Sequence, residues 1–215
     1  MGRVEGWPEI GKSGPTPEGM HKLKDQVDAL KRACDALSMQ DLATAEAIIS
    51  SEIPFEPTAK QSRRYTETEA THLFLRDGFI DRYSGDRLIY PPVLRLVSLM
   101  LPSVFPYQSN WKLDQCHIAF WKLSPTVDHM VPVARGGLDK PQNWVTTSMF
   151  RNSAKSNWLL EEIGWSLHPR GNLSDWDGMF SWFLSYVAAS PDVLKNSLVK
   201  RWHSAATNAH DKLNT

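Results

Sequence analysis

Residues 125–155, PTVDHMVPVARGGLDKPQNWVTTSMFRNSAK, constrain this chain more than any other stretch. A short β-prone run, Thr126 and Val127, leads into Asp128-His129. Val131, Pro132 and Val133 follow, then a Gly136-Gly137 turn, then Asn143-Trp144-Val145. The stretch closes on a polar segment of helical character that carries Asn152 and Lys155. The order predicts strand, loop, strand and helix. A hairpin sets its two arms side by side, and the next helix folds back across them. That arrangement gathers Asp128, His129 and Asn152 despite their separation in sequence.

The side chains suggest a chemistry. Asp128 supplies hard oxygen donors that suit Mg²⁺ or Mn²⁺, and an amide oxygen with waters would complete an open shell. His129 titrates near neutrality and is able to take a proton from water. Neighbouring residues on a strand point to opposite faces, so Asp128 and His129 serve one site only if the chain twists or leaves the strand there. Lys155 lies three residues beyond Asn152, on the same helix face, and is a candidate to hold a phosphate.

The stretch resembles the HNH endonucleases, the ββα-metal type. The residues that carry the resemblance are Asp128-His129-Met130-Val131-Pro132, Gly136-Gly137, Asn143 and Asn152-Ser153-Ala154-Lys155. Singly, an Asp-His dipeptide or a Gly-Gly turn is ordinary; the set is specific because several residue types and spacings agree at once. The resemblance implies that His129 is the general base and that Asp128 and Asn152 are the metal ligands. Asn143 would tie the loop that aims His129, and it joins His129 and Lys155 in the implied catalytic set. The last family position is often His; here Asn152 stands there, a weaker ligand. The implied cofactor is a divalent metal ion, Mg²⁺ first, with Mn²⁺, Ni²⁺ or Zn²⁺ as alternatives.

Upstream, Asp81-Arg82-Tyr83-Ser84-Gly85 resembles the knuckle turn of many such proteins, in which paired cysteines hold a structural Zn²⁺. The matching positions here are Asp81 and Ser84, then Ser148 and Arg151, and all four thiols are missing. The turn is expected to persist without metal, through packing and an Asp81–Arg151 ion pair.

The bulk properties fit an ordinary globular chain: 215 residues, 41% hydrophobic, 22% charged, formal net charge +0. Zero net charge argues against a protein that coats nucleic acid indiscriminately. The charge is uneven. Residues 1–60 hold 7 basic against 10 acidic residues, and residues 61–158 hold 12 against 8. The motif therefore lies in the basic part, where Arg135, Lys140, Arg151 and Lys155 are candidate phosphate contacts. Cys34 and Cys116 form no zinc-finger spacing and read as free thiols of a reducing cytosol. No apolar leader and no uninterrupted apolar run appears, so a cytoplasmic protein away from membranes is expected.

Along the chain, residues 1–19 read as flexible. A helix is predicted over 18–37 with a stripe of Met20, Leu23, Val27, Leu30 and Cys34, and a second over 42–49 with Ser38 or Asp41 as cap. Pro54, Pro57 and the basic cluster Lys60, Arg63 and Arg64 mark a linker. Thr66 and Glu69 form a capping-box pattern that opens a helix to Asp77. A buried helix is expected over 93–101, with Leu94, Val97, Ser98 and Leu101 on one face. His117 reads as a packing or surface histidine ahead of a site residue. Ser174 is expected to cap an apolar helix over 176–189, followed by a last helix over 192–212. Some of the nine tryptophans suit base stacking, but most suit a core.

These readings predict an α+β protein with a ββα-metal core. An N-terminal helical segment spans 1–60, a nuclease domain 61–160 and a C-terminal helical segment 161–215. The resemblance, which covers residues 76–158, implies metal-dependent hydrolysis of phosphodiester bonds in DNA. The rival is a catalytically silent nucleic-acid-binding or partner-dependent protein of the same fold. The apolar C-terminal helices offer a surface for a second copy or a protein partner.

Overall fold

The computed structural model describes residues 17–55 and 65–213, with side chains over 25–55 and 65–209. Met20 and Leu23 as stripe residues, the segment up to 16, and the cluster Lys60, Arg63 and Arg64 lie outside that description. Among the described residues there are eight α-helices and one two-stranded antiparallel sheet, a mostly helical α+β architecture. The chain divides into two compact units, residues 1–58 with 160–165, and residues 59–159 with 166–215.

The first unit holds a helical hairpin, α1 (Pro17–Ser38) and α2 (Leu42–Glu52). Asp41 caps α2: its carboxylate accepts the Thr44 N–H at 3.0 Å and the Thr44 hydroxyl at 2.7 Å. Those bonds favour the ionised carboxyl and hold Asp41 below its ordinary pKa. The helix contact is made by Ala33, Ala36 and Ala45, flanked by Ile48 and Ile49. The predicted stripe is therefore displaced: Val27 and Leu30 are about half exposed. Alanine lets two helix backbones approach closely, so the small-residue row faces the partner helix.

The second unit is built around a large aromatic core, with a smaller cluster of Leu94, Cys116 and Phe120 beside it in the same unit. Thr66 and Glu69 form the capping box that opens α3 (Glu67–Arg76), which buries Ala70, Leu73 and Phe74. Pro91 and Pro92 open α4 (Pro91–Met100), which adds Val93 and Leu96. Leu101, expected on the inner face, is exposed. Tyr90 is fully buried and meets the rings of Phe180, Phe183 and Trp202 edge-on at 5.2–5.5 Å. Its hydroxyl donates to the Trp202 carbonyl at 2.9 Å. Burial pushes the Tyr90 phenol well above its usual pKa.

The C-terminal part belongs to this same core. Helix α7 (Phe180–Ala189), which follows α5 (Ala119–Leu123) and α6 (Met149–Lys155) in chain order, contributes Phe180, Phe183 and Val187. Helix α8 (Ser197–Leu213) contributes Val199, Ala206 and Ala209. Two boundaries differ from the sequence reading. Gly178 and Met179 have φ of 67° and 62°, so α7 starts at Phe180 and Asp177 accepts the Met179 and Ser181 N–H groups. The last helix is preceded by a 3₁₀ turn, Pro191–Lys195, and Asn196 accepts the Val199 N–H. His117 stacks on Phe105 with centroids 4.2 Å apart, and its Nδ1 accepts the Ala119 N–H at the start of α5. No helix among the described residues is long and apolar enough to cross a membrane.

The sheet pairs β1 (Pro125–His129) with β2 (Trp144–Ser148) in a register that sets Asp128 opposite Val145 and His129 opposite Trp144. Every residue of both strands is buried. Helix α6 follows β2 directly and packs on both strands, with the Ser148 hydroxyl accepting the Arg151 N–H as its cap.

Candidate active site

Asp128 and His129 occupy the last two positions of β1 and engage different partners, as strand alternation requires. Asp128 Oδ2 accepts the Tyr83 hydroxyl at 2.7 Å and stands 3.0 Å from Lys155 Nζ. Burial, and then the Asp128 charge, hold the Tyr83 phenol far above its ordinary pKa, so it remains a donor. His129 Nε2 lies 2.8 Å from Asp139 Oδ1. Both residues nevertheless line one cleft of about 700 Å³, together with Asn152, Tyr65, Thr66 and Met149. The chain leaves the strand directly after His129, which opens that end of β1.

The Asp139 contact determines the imidazole tautomer. Trp144 Nε1 lies 3.1 Å from His129 Nε2 and 3.0 Å from Asp139 Oδ1. An indole N–H only donates, and an ionised carboxylate only accepts. For a neutral imidazole one arrangement satisfies all three groups: Asp139 accepts both the Trp144 N–H and a His129 Nε2–H. Nδ1 then carries the lone pair.

The loop between His129 and β2 is tied by Asn143. Its Oδ1 accepts the Val131 N–H at 2.9 Å, and its Nδ2 donates to the carbonyls of Val131 and Leu138 at 2.8 and 2.9 Å. The Asn143 carbonyl accepts the Met130 N–H at 2.8 Å. The two motif glycines answer different demands. Gly136 has φ of 86° with open space around it, a left-handed turn position. Gly137 lies against Val131, where a Cβ would overlap the Val131 carbonyl.

Lys155 is 0% exposed, which no surface reading of the motif anticipates. Its ammonium donates to the His129 carbonyl at 2.8 Å and pairs with Asp128. An ammonium enclosed in this way does not reach a phosphate in solution. Lys155 instead joins α6 to the two residues at the end of β1. Asn152, one turn earlier, is half-buried and lines the cleft; its Nδ2 reaches the Val127 carbonyl at 3.4 Å.

The upstream turn is fastened to β2 by hydrogen bonds. Asp81 Oδ1 accepts the Tyr83 N–H and the Thr147 hydroxyl, both at 2.9 Å, and Oδ2 accepts the Ser148 N–H at 2.8 Å. Asp81 and Ser148 are two of the positions where a zinc knuckle would carry thiols, and they are joined here by a hydrogen bond. These bonds do the fastening that the sequence reading gave to an Asp81–Arg151 ion pair. The turn in its place delivers the Tyr83 hydroxyl to Asp128.

Arg135 and Lys140 are exposed on the loop between the strands, and Arg151 is half-buried on α6. None of the three lines the cleft. Sequence reading missed Tyr83, Asp139 and Trp144 as parts of the site. Asp139 stands two residues after Gly137, and only the loop closure by Asn143 brings it back to His129. As metal donors the cleft offers the Asp128 carboxylate and the Asn152 amide oxygen. Among the described residues no group of three His, Cys, Asp or Glu side chains converges to hold a metal ion. No family model matches the chain, and no curated protein or solved structure shows significant similarity to it.

Proposed function

We propose that the chain is a metal-dependent endonuclease of the HNH kind that hydrolyses phosphodiester bonds in DNA. One observation carries this reading: His129, whose Nε2 lies 2.8 Å from the Asp139 carboxylate, lines the same cleft as Asp128 and Asn152, and we take its neutral ring in the Nε2–H form. In that form Nδ1 takes a proton from a water molecule in the cleft, and the resulting hydroxide attacks the phosphorus. The imidazolium so formed stays paired with the Asp139 carboxylate, which stabilises it. Asn143 fixes the loop that sets Asp139 against the ring.

The donor set fits a hard divalent ion, Mg²⁺ first, because a carboxylate and an amide oxygen face one cleft that has room for waters and a phosphate. Asp128 and Asn152 would hold it, and it would supply charge neutralisation at the scissile phosphate and at the departing 3′ oxygen. Lys155 and Tyr83 hold Asp128 in place through Oδ2, which leaves its Oδ1 to face the ligand. Arg135, Lys140 and Arg151 are proposed to position the nucleic-acid backbone around this cleft.

The Asp128–Lys155 pair also favours a second reading. A buried ammonium on the single carboxylate weakens its pull on a cation, as in a protein that binds nucleic acid and does not cleave it. Supercoiled plasmid incubated with purified protein and Mg²⁺ or Mn²⁺ separates the two. Nicked or linear product that disappears with EDTA and with His129→Ala supports the nuclease. A gel shift without product under every metal supports the silent protein.

A further inference from the structure

A second cleft, of about 480 Å³, opens beside Trp144 and is lined by Arg76, Arg82 and Arg170. The other lining residues are uncharged. All three guanidinium groups converge on one carboxylate, Asp77, which is itself 0% exposed. Arg76 Nε lies 2.9 Å from Asp77 Oδ1, Arg170 Nε 3.1 Å and Arg82 Nη1 3.4 Å. Asp77 Oδ2 also accepts the Thr146 N–H at 2.9 Å.

Satisfying a buried Asp77 needs one arginine, because one guanidinium with the Thr146 N–H neutralises and hydrogen-bonds it. Three place two positive charges beyond that requirement in one cleft. Arg76 is spent on structure: it donates to the Pro141 and Trp144 carbonyls as well as to Asp77. Arg170 is not. It meets Asp77 through Nε, and its side chain is 54% exposed, so its terminal nitrogens open to solution.

The segment that carries Arg170 is fixed in place. The His168 N–H donates to the Arg82 carbonyl at 2.8 Å, Arg82 Nε donates back to the His168 carbonyl at 2.6 Å, and the Gly171 N–H donates to the Asp77 carbonyl at 3.0 Å. Gly171 packs directly on Gly78, where a Cβ on either would collide. Arg170 is therefore presented beside Arg82 by an ordered backbone. Planar guanidinium forks of this kind match the oxygens of a phosphate.

We propose that the Arg82–Arg170 cleft binds a phosphate group, and that in the nucleic-acid complex this is a backbone phosphate held outside the catalytic cleft. The phosphate site stands on its own geometry; its assignment to nucleic acid rests on the nuclease reading. Trp144 links the two places, since its carbonyl accepts Arg76 and its indole meets His129 and Asp139.

The test follows the side-chain Nε–H resonances of the full chain by NMR as inorganic phosphate is added, with chloride at equal ionic strength as control. Selective shifts at Arg170 and Arg82, absent in Arg170→Gln, are expected. In parallel, a duplex oligonucleotide is titrated in EDTA against wild type, Arg170→Gln and Arg170→Lys. A 3–10-fold weaker affinity for Arg170→Gln, with the slope of log K against log salt reduced by about 1 and the melting temperature unchanged, is expected. Phosphate shifts without a duplex effect keep the anion site and assign it to a free phosphoryl ligand. Equal responses to phosphate and chloride overturn the phosphate site, and duplex binding that ignores Arg170→Gln overturns its assignment to nucleic acid, whatever the outcome of the cleavage assay.

Discussion

Asp139 lies within the motif stretch, yet the motif residues do not point to it, and the candidate site depends on its contact with His129. Its carboxylate only accepts, so Asp139→Asn replaces it with an amide that accepts or donates and no longer selects the Nε2–H form of a neutral His129 ring. Cleavage is expected to fall 10–100-fold, the usual effect of losing a partner that orients a functional side chain. Imidazole ¹⁵N shifts provide the readout that a packing defect would not mimic: Nε2–H in wild type and a tautomer mixture in the variant. Lys155 makes a complementary point about stability. Lys155→Met leaves the Asp128 carboxylate in a buried setting without its cation, which costs about 3–5 kcal/mol by analogy with broken buried pairs. Urea unfolding measures that loss, and Lys155→Met combined with Asp128→Asn is expected to recover much of it. If the single variant unfolds like wild type, the pair does not hold this part of the structure.

Among the elements, the loop from Met130 to Asn143 carries the clearest division of labour. Gly136→Ala adds left-handed strain of about 1 kcal/mol at a position with open space. Gly137→Ala forces a side chain onto the Val131 carbonyl and so displaces the hydrogen bonds that Asn143 makes there. The second variant is expected to lose more stability by chemical denaturation and to impair cleavage; equal losses would count against the loop geometry. Helix α3 offers a pH test. The Arg201 hydrogen bond holds Glu67 below its ordinary pKa of 4.5. A lowered folded pKa gives stability that is present above about 4.5 and fades as the carboxyl protonates below it. Glu67→Gln should therefore flatten the stability profile below pH 4.5 and leave the profile near pH 7 almost unaltered in shape, as thermal melts across pH would show.

For the whole molecule, local signals were legible and partnerships were not. The capping box of Thr66 and Glu69, the proline start of α4 and the strand–loop–strand–helix order of residues 125–155 are visible in sequence because each depends on residues a few positions apart. The loop-tying role of Asn143, whose contacts to Val131 span twelve residues, was legible only through the family resemblance. The burial of Lys155, the delivery of Tyr83 by the Asp81 turn and the arrival of Arg170 at Asp77 require contacts across tens of residues. Helix α7 starts at Phe180, four residues later than the apolar run predicts, because the left-handed backbone at Met179 overrides that run. The N-terminal helix buries a row other than its larger apolar stripe, because alanines make the close helix contact.

The proposed hydrolysis through His129 is tested most directly by single-turnover cleavage of an end-labelled DNA duplex, with wild type and His129→Ala purified in parallel and Mg²⁺ or Mn²⁺ added. Removal of a general base lowers a rate by about 10²–10⁴-fold. The expected result is metal-dependent cleavage by the wild type that falls by that factor in His129→Ala, with an unchanged fold by circular dichroism. Equal cleavage rates for the two proteins, or wild-type protein that binds the duplex and never cuts it, would contradict the assignment.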